Sequence, residues 1–156
     1  MIKLLNILRE TQILVPRRSP EERQKKYLTA TQKKIQQYIK DGSQGDLDLS
    51  DTPIQSLPDG LTVRGFLNLH KSQIQSLPDN LEVGEDLILS NTPIQSLPNG
   101  LEVGGFLNLV DTPIQSLPND LKVRGDLILY STPLSKKYTK EELEAKYPGI
   151  KGKIYL

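Results

Sequence analysis

The sequence predicts a repeat solenoid of about five to six coils with a short parallel β-sheet, an N-terminal α-helical cap and a C-terminal helix–strand cap. Two observations support this prediction: the middle of the chain repeats with a twenty-residue period, and a helix-capping signal stands on either side of the repeats. A fixed period of this length indicates coils that bury their apolar side only against neighbouring coils. The copies occupy residues 45–64, 65–84, 85–104 and 105–124, with a partial copy at 125–134.

Each copy follows the pattern LxLxxTxIxxLPxxLxVxG. The LxL pair has a period of two, which predicts a short strand with both leucines pointing inward and a parallel sheet where coils stack. The Thr or Ser after this strand is expected to bond neighbouring backbone, and the SLP proline limits the far side of the coil to extended chain. We also predict a hydrogen-bonded ladder of outward glutamine side chains, formed by Gln55, Gln75, Gln95 and Gln115.

A helical cap is predicted before the first coil. Ser19 is placed to be the N-cap, with Pro20 at the first helical position and Glu22 completing a capping box. The helix is expected to run to about Asp41, where Gly42 stops it. Its predicted apolar stripe consists of Tyr27, Ala30 or Thr31, Ile35, Tyr38 and Ile39.

A second cap is predicted after the last copy. Thr139 and Glu142 form another capping box, which opens a helix to about Lys146 before Pro148-Gly149 stops it. Residues 150–156 then match residues 63–69 position by position, so Ile154 and Leu156 are expected to supply one last strand.

The chain divides into four predicted parts with uneven charge. These are an N-terminal segment at 1–18, the helical cap at 19–45, the solenoid at 46–134 and the C-terminal cap at 135–156. Residues 1–45 contain ten Lys or Arg against four Asp or Glu, whereas residues 46–126 contain four against twelve. The solenoid is therefore acidic and its N-terminal neighbour basic. Within the first segment, Ile2, Leu4, Leu5 and Leu8 suggest a short amphipathic helix.

The composition argues against an enzyme. The chain has no Cys and one His, which removes thiolate chemistry and makes a zinc site or His-dependent catalysis a poor fit. No nucleophile–base set, phosphate loop or calcium-loop pattern is present, so no cofactor and no metal are expected. No apolar run is long enough to span a bilayer and no signal peptide is recognisable, so we expect a cytoplasmic protein.

The outward positions around each LxL pair are the candidate functional residues. Three columns alternate with the inward leucines, and they carry an apolar patch of the kind that marks contact sites. Two other interpretations stay open: apolar residues here favour strand formation alone, or residues 1–16 fold over the patch. The predicted partner-binding residues are Phe66, Asn68, His70, Ile88, Phe106, Asn108, Val110, Ile128 and Tyr130.

The repeats resemble the leucine-rich repeat, and specifically the short LPX subtype of bacterial proteins. The matching stretch in one copy is Leu67-x-Leu69-x-x-Ser72-x-Ile74-x-x-Leu77-Pro78. Two departures are that Thr or Ser stands at the usual Asn position and that LxVxGxL replaces the LxxL half. The repeats and the tail at 137–156 are also similar to small repeat proteins encoded by tailed bacteriophages. The resemblance implies a leucine-rich-repeat-like fold and, for a phage protein, the host cytoplasm.

The leading expectation is a non-enzymatic module that binds a protein partner through the open face of the sheet, with self-association through the same patch as a further possibility. The alternative is a membrane-surface or nucleic-acid adaptor that uses the basic N-terminal segment. This segment lacks the interleaved aromatics of nucleic-acid binders, which favours the protein partner.

Overall fold

The chain is a parallel β-solenoid of about four turns with helices at both ends, which confirms the predicted repeat solenoid. The computed structural model describes residues 19–156. The predicted N-terminal segment at 1–18, with its short amphipathic helix and its suggested folding over the patch, lies outside the described residues. The larger of its two parallel sheets contains, in order, β1 (Leu47–Asp48), β3 (Leu67–Asn68), β5 (Leu87–Ile88), β7 (Leu107–Asn108), β9 (Leu127–Ile128) and β10 (Ile154–Tyr155). The smaller sheet contains β2 (Thr62–Val63), β4 (Glu82–Val83), β6 (Glu102–Val103) and β8 (Lys122–Val123).

Repeat spacing sets the register of both sheets. Leu67 pairs with Leu87, and Val63 pairs with Val83. The final step is longer, because Leu127 pairs with Ile154 and the C-terminal helices fill the additional residues. The smaller sheet was not predicted, because the valine of each LxV was expected only to close the coil. Each valine stacks on the valine of the next coil, and the backbone around it pairs with the backbone of that coil.

The core is a column of inward side chains that runs through all the coils. Leu67, Leu69 and Leu89 have no exposed surface, as the period of two predicts. After each strand the chain turns through a left-handed residue, at φ 54–60°, and the next hydroxyl stabilises that turn. The predicted bonds form at four of five positions, where a Thr Oγ1 donates to the carbonyl oxygen three residues earlier at 2.7–2.8 Å: Thr52, Thr92, Thr112 and Thr132. At the fifth, the buried Ser72 Oγ has no partner within the described residues.

Helix α1 (Pro20–Lys40) covers the first coil. The predicted capping box is confirmed, because Ser19 Oγ accepts the Glu22 N–H at 3.1 Å and the Glu22 carboxylate accepts the Ser19 N–H at 2.9 Å. The predicted stripe is wrong at its ends, since Tyr27 is 66% and Ile39 45% exposed. Residues four apart lie on the same side of a helix, but burial on this side is confined to the middle turns, at Thr31 and Ile35.

The C-terminal cap contains two short helices, α2 (Pro133–Lys137) and α3 (Lys140–Lys146). Helix α3 and its Thr139–Glu142 capping box were predicted, whereas α2 was not. In the full copies a proline stands in SLP, but the equivalent position here is Tyr138, so the segment after Thr132 is free to form a helical turn. The buried side chains of Leu143 and Tyr147 then close the core, and β10 adds the predicted last strand.

The leucine columns should dominate stability. We expect Leu89→Ala to cost roughly 2–5 kcal/mol, because it removes fully buried atoms and leaves a cavity. Gln95→Ala, in the same coil but exposed, should cost far less. Chemical denaturation of both variants measures the difference, and equal losses would contradict the assignment of inward and outward faces.

The C-terminal cap should also be essential. Removing residues 139–156 takes away Leu143, Tyr147 and β10, and so uncovers the last leucines and the edge of the larger sheet. Uncovered solenoid ends associate. We expect an insoluble or oligomeric product by size-exclusion chromatography; a soluble monomer with unchanged melting would show that the segment is dispensable.

Candidate partner-binding face

The outward side of the larger sheet is called the open face here, and its residues lie in three columns. Neighbouring members of a column are one strand spacing apart, about 4.8 Å. All nine residues predicted to bind a partner lie on this face, and each is half-buried or exposed. The columns are Asp46, Phe66, Asp86, Phe106, Asp126 and Lys153; Asp48, Asn68, Ile88, Asn108, Ile128 and Tyr155; and Ser50, His70, Ser90, Val110 and Tyr130.

The first column alternates Asp with Phe, and its carboxylates have a structural role. Asp46 Oδ1 accepts the backbone N–H of Phe66 at 3.1 Å, and Asp86 Oδ1 accepts that of Phe106 at 2.9 Å. Each bond requires a glycine directly before the phenylalanine, because any larger residue would clash with the carboxylate. A Cβ on Gly105, for example, would lie 2.0 Å from Asp86 Oδ1. Coil stacking therefore explains the aspartates but gives no comparable reason for the two phenylalanine side chains.

The second column contains a local turn motif in three of its coils. Asn68 Oδ1 accepts the His70 N–H and Asn108 Oδ1 accepts the Val110 N–H, each at 3.0 Å. Asp48 does the same with Ser50, and this bond from the Ser50 N–H lowers the pKa of the Asp48 carboxyl. The two asparagines thus have a local role that sequence reasoning missed.

The third column contains the only histidine of the chain. His70 Nδ1 lies 2.8 Å from Ser90 Oγ on the next coil, and Ser90 is buried. The imidazole is therefore engaged with a side chain of the next coil.

The C-terminal end of the open face is aromatic. Tyr130 is 46% and Tyr155 36% exposed, and their ring centroids lie 6.4 Å apart at a 46° tilt. Tyr155 was not among the predicted residues, although the inward Ile154 implies that the next residue points outward. The apolar strip is the name used below for Phe66, Ile88, Phe106, Val110, Ile128, Tyr130 and Tyr155.

The predicted glutamine ladder is wrong. Gln55 and Gln75 are exposed and joined through their backbones, by a bond of 2.9 Å from Gln75 N–H to Gln55 O. Within residues 19–156 none of the four repeated glutamine side chains forms a hydrogen bond. An exposed amide bonds water as readily as a neighbouring amide, so stacking alone does not order these side chains.

The outer side of the smaller sheet forms a shallow trough of about 950 Å³. Its floor is glycine because the coils approach closely there: a Cβ on Gly84 would lie 2.1 Å from Arg64 O, and one on Gly104 2.0 Å from Gly84 O. The Lys122–Glu102 ion pair beside it raises the pKa of Lys122, but both side chains are exposed, so the pair stabilises little. Close stacking accounts for the trough.

The part of the chain that the structure describes holds no cluster of three or more His, Cys, Asp or Glu side chains placed to bind a metal. Over the same residues, no helix combines the length and apolar character needed to cross a membrane. No protein-family model, curated protein or solved structure matches the chain. The geometry of the open face is therefore the basis for inferring a function.

The aspartate bonds of the first column can be tested directly. Asp86→Ala leaves the Phe106 N–H without its acceptor, and we expect a loss of about 1–3 kcal/mol in the free energy of unfolding. Asp79→Ala, which removes an exposed carboxylate from the neighbouring loop, is the control. Urea titrations compare them, and an equal loss would mean that Asp86 acts only through its charge.

Proposed function

We propose that this protein is a non-enzymatic interaction module that binds a protein partner through the open face. The observation that supports this most is the apolar strip, which crosses five successive strands on the outside of the fold. Contiguous exposed apolar surface is a common feature of contact sites, and large apolar and aromatic residues supply most binding energy in them.

The two phenylalanines are the expected anchors of this contact. Phe66 and Phe106 lie two coils apart in one column, roughly 10 Å from each other at strand spacing. Both are half-buried, so part of each ring is held by the sheet and part remains available. Aromatic rings that are partly held by a regular sheet lose less conformational entropy when a partner binds.

We further infer that the module belongs to the leucine-rich-repeat class of the LPX subtype and is encoded by a phage or a bacterium. The inward columns and the LxLxx(T/S)xIxxLP motif support the class, and the tail similarity supports the source. The partial fifth copy and β10, counted together with the complete turns, support the expectation of five to six coils. A host protein in the cytoplasm is then the expected partner.

The double variant Phe66→Asp/Phe106→Asp tests the proposed function. The first column accepts Asp in three other coils, so unfolding free energy should fall by much less than in Leu89→Ala, while partner binding is lost. Affinity capture from host lysate, followed by titration with the purified partner, measures binding; light scattering measures self-association.

A matched control adds the same charges to the same coils elsewhere. Gln75→Asp/Gln115→Asp changes two exposed side chains of the loop surface and should leave partner binding intact. Loss of binding in both double variants would assign the effect to charge and contradict the open-face site. A collapse of stability in the phenylalanine variant alone would show that these rings belong to the core.

A second candidate is an adaptor for an anionic membrane or nucleic acid, because the outer side of α1 is basic. Arg23, Lys26 and Lys33 are exposed there, beside the exposed ring of Tyr27. Retention on anionic vesicles or DNA that disappears as salt is raised, and that Lys26→Glu/Lys33→Glu abolishes, would favour this function over the first.

A further inference from the structure

We propose that the open face takes one amphipathic α-helix of its protein partner, which lies across the strands and carries Lys or Arg along one flank of an apolar stripe. This inference rests on the proposed function and adds the chemistry of the partner. Three features of the face support it: its net charge, the position of that charge, and its dimensions.

The open face is acidic. Its three columns carry four aspartates against one lysine, a net charge of −3: Asp46, Asp48, Asp86, Asp126 and Lys153. The neighbouring column on each side adds three carboxylates against one lysine: Asp51, Glu85, Asp111 and Lys71. Complementary charge speeds encounter and like charge rejects wrong partners. The face therefore favours a cationic partner and repels a second copy of itself or a nucleic acid.

The aspartates of the first column keep an oxygen for such a partner. Their backbone bonds use Oδ1 of Asp46, Asp86 and Asp126, the last accepting the Lys153 N–H at 2.8 Å. An ionised carboxylate has two acceptor oxygens. Over the described residues, no hydrogen bond engages the second oxygen of these three side chains.

The acidic charge lies along one side of the face. Asp86 and Asp126 stand in the first column, where they alternate with the two phenylalanines. Asp48 is the single carboxylate of the other two columns, and it already lies close to the cation of Lys34 on α1. The rest of the apolar strip occupies these two columns. A complementary element is consequently apolar in its middle and cationic on one flank, which fixes its orientation.

The dimensions of the face match one helix. Six strands at about 4.8 Å spacing extend about 24 Å from the first to the last. A helix of about sixteen residues has this length. Three outward residues on each strand span about 13 Å along the strand, which accommodates a helix about 10 Å in diameter.

The spacing of the coils favours a helix over an extended chain. One helical turn advances about 5.4 Å, close to the coil spacing of about 4.8 Å, so successive turns meet successive coils. Side chains seven residues apart lie about 10.5 Å apart on one side of a helix, and Asp86 and Asp126 are two coils, about 10 Å, apart. An extended chain places side chains of one side about 6.6 Å apart, which fits neither one coil nor two.

Synthetic peptides test the chemistry of the partner. The probe is a helical peptide of about sixteen residues with a leucine stripe and, along one flank, lysines spaced by seven residues. One control peptide has glutamate at each lysine position, and the other has a proline in the middle that breaks the helix. We expect the lysine peptide to bind the full chain at least about tenfold more tightly than either control, measured by fluorescence anisotropy. Equal affinity for the lysine peptide and either control would overturn the inference.

Variants of the protein locate the contact. Asp86→Asn/Asp126→Asn removes two charges but keeps an amide oxygen to accept the N–H groups of the next coil. We expect its affinity for the lysine peptide to fall at least about tenfold and to depend less on salt. Asp59→Asn/Asp79→Asn removes the same charge from exposed loops and should leave the affinity within about twofold.

Two further results are decisive. Equal losses in the two asparagine variants would assign binding to overall charge and overturn the inference; Asp126→Asn alone replaces the first variant if circular dichroism shows that it is unfolded. Light scattering of the full chain tests the other occupant of the face. A dimer that Phe66→Asp/Phe106→Asp dissociates would assign the face to a second copy and overturn the helix.

The natural partner separates this inference from the proposed function. Binding that Phe66→Asp/Phe106→Asp abolishes and that Asp86→Asn/Asp126→Asn weakens supports both. Binding that only the phenylalanine variant abolishes overturns the cationic helix and leaves the binding face standing. Binding that survives the phenylalanine variant contradicts the proposed function itself, whatever the peptides do.

Discussion

The stacking of each coil on the next at strand spacing is the interaction on which the rest of the structure depends. A single coil cannot bury its own leucines, so each obtains its core from the coils above and below. Backbone bonds hold this spacing on both sheets, for example Leu87 N–H to Phe106 O at 2.9 Å and Gly104 N–H to Val83 O at 2.8 Å. The approach is close enough that Gly84 and Gly104 cannot carry a side chain without moving the backbone.

Close stacking also explains why the two ends differ from the middle. The first and last coils each lack one neighbour, and helices supply the missing surface. On the first coil Ile35 completes the core and Lys34 Nζ donates to the carbonyl oxygen of Asp48. On the last coil the buried side chains of Leu143 and Tyr147 complete the core.

The regular stacking of the coils also indicates which residues of the open face have a structural role. Because the copies share one backbone, a residue that recurs for structural reasons has the same bond in each copy. Asp46 and Asp86 meet that description, as do Asn68 and Asn108 with their local turns. These bonds account for the polar residues of the face but not for the apolar strip. The proposed function is placed on the strip because coil stacking does not require it. The fold itself does not identify the partner.

The sequence by itself determined the solenoid, the inward leucines and both capping boxes, because each depends on periodicity or on residues within one turn of a helix. Leu89 and the Ser19–Glu22 pair needed no knowledge of distant neighbours. Tertiary structure decided how much of the α1 stripe is buried, because Tyr27 and Thr31 lie one turn apart on the same side of the helix and the first coil covers only Thr31. It also decided that the glutamines form no ladder and that His70 bonds Ser90, since both depend on distances between coils that a repeat period does not specify.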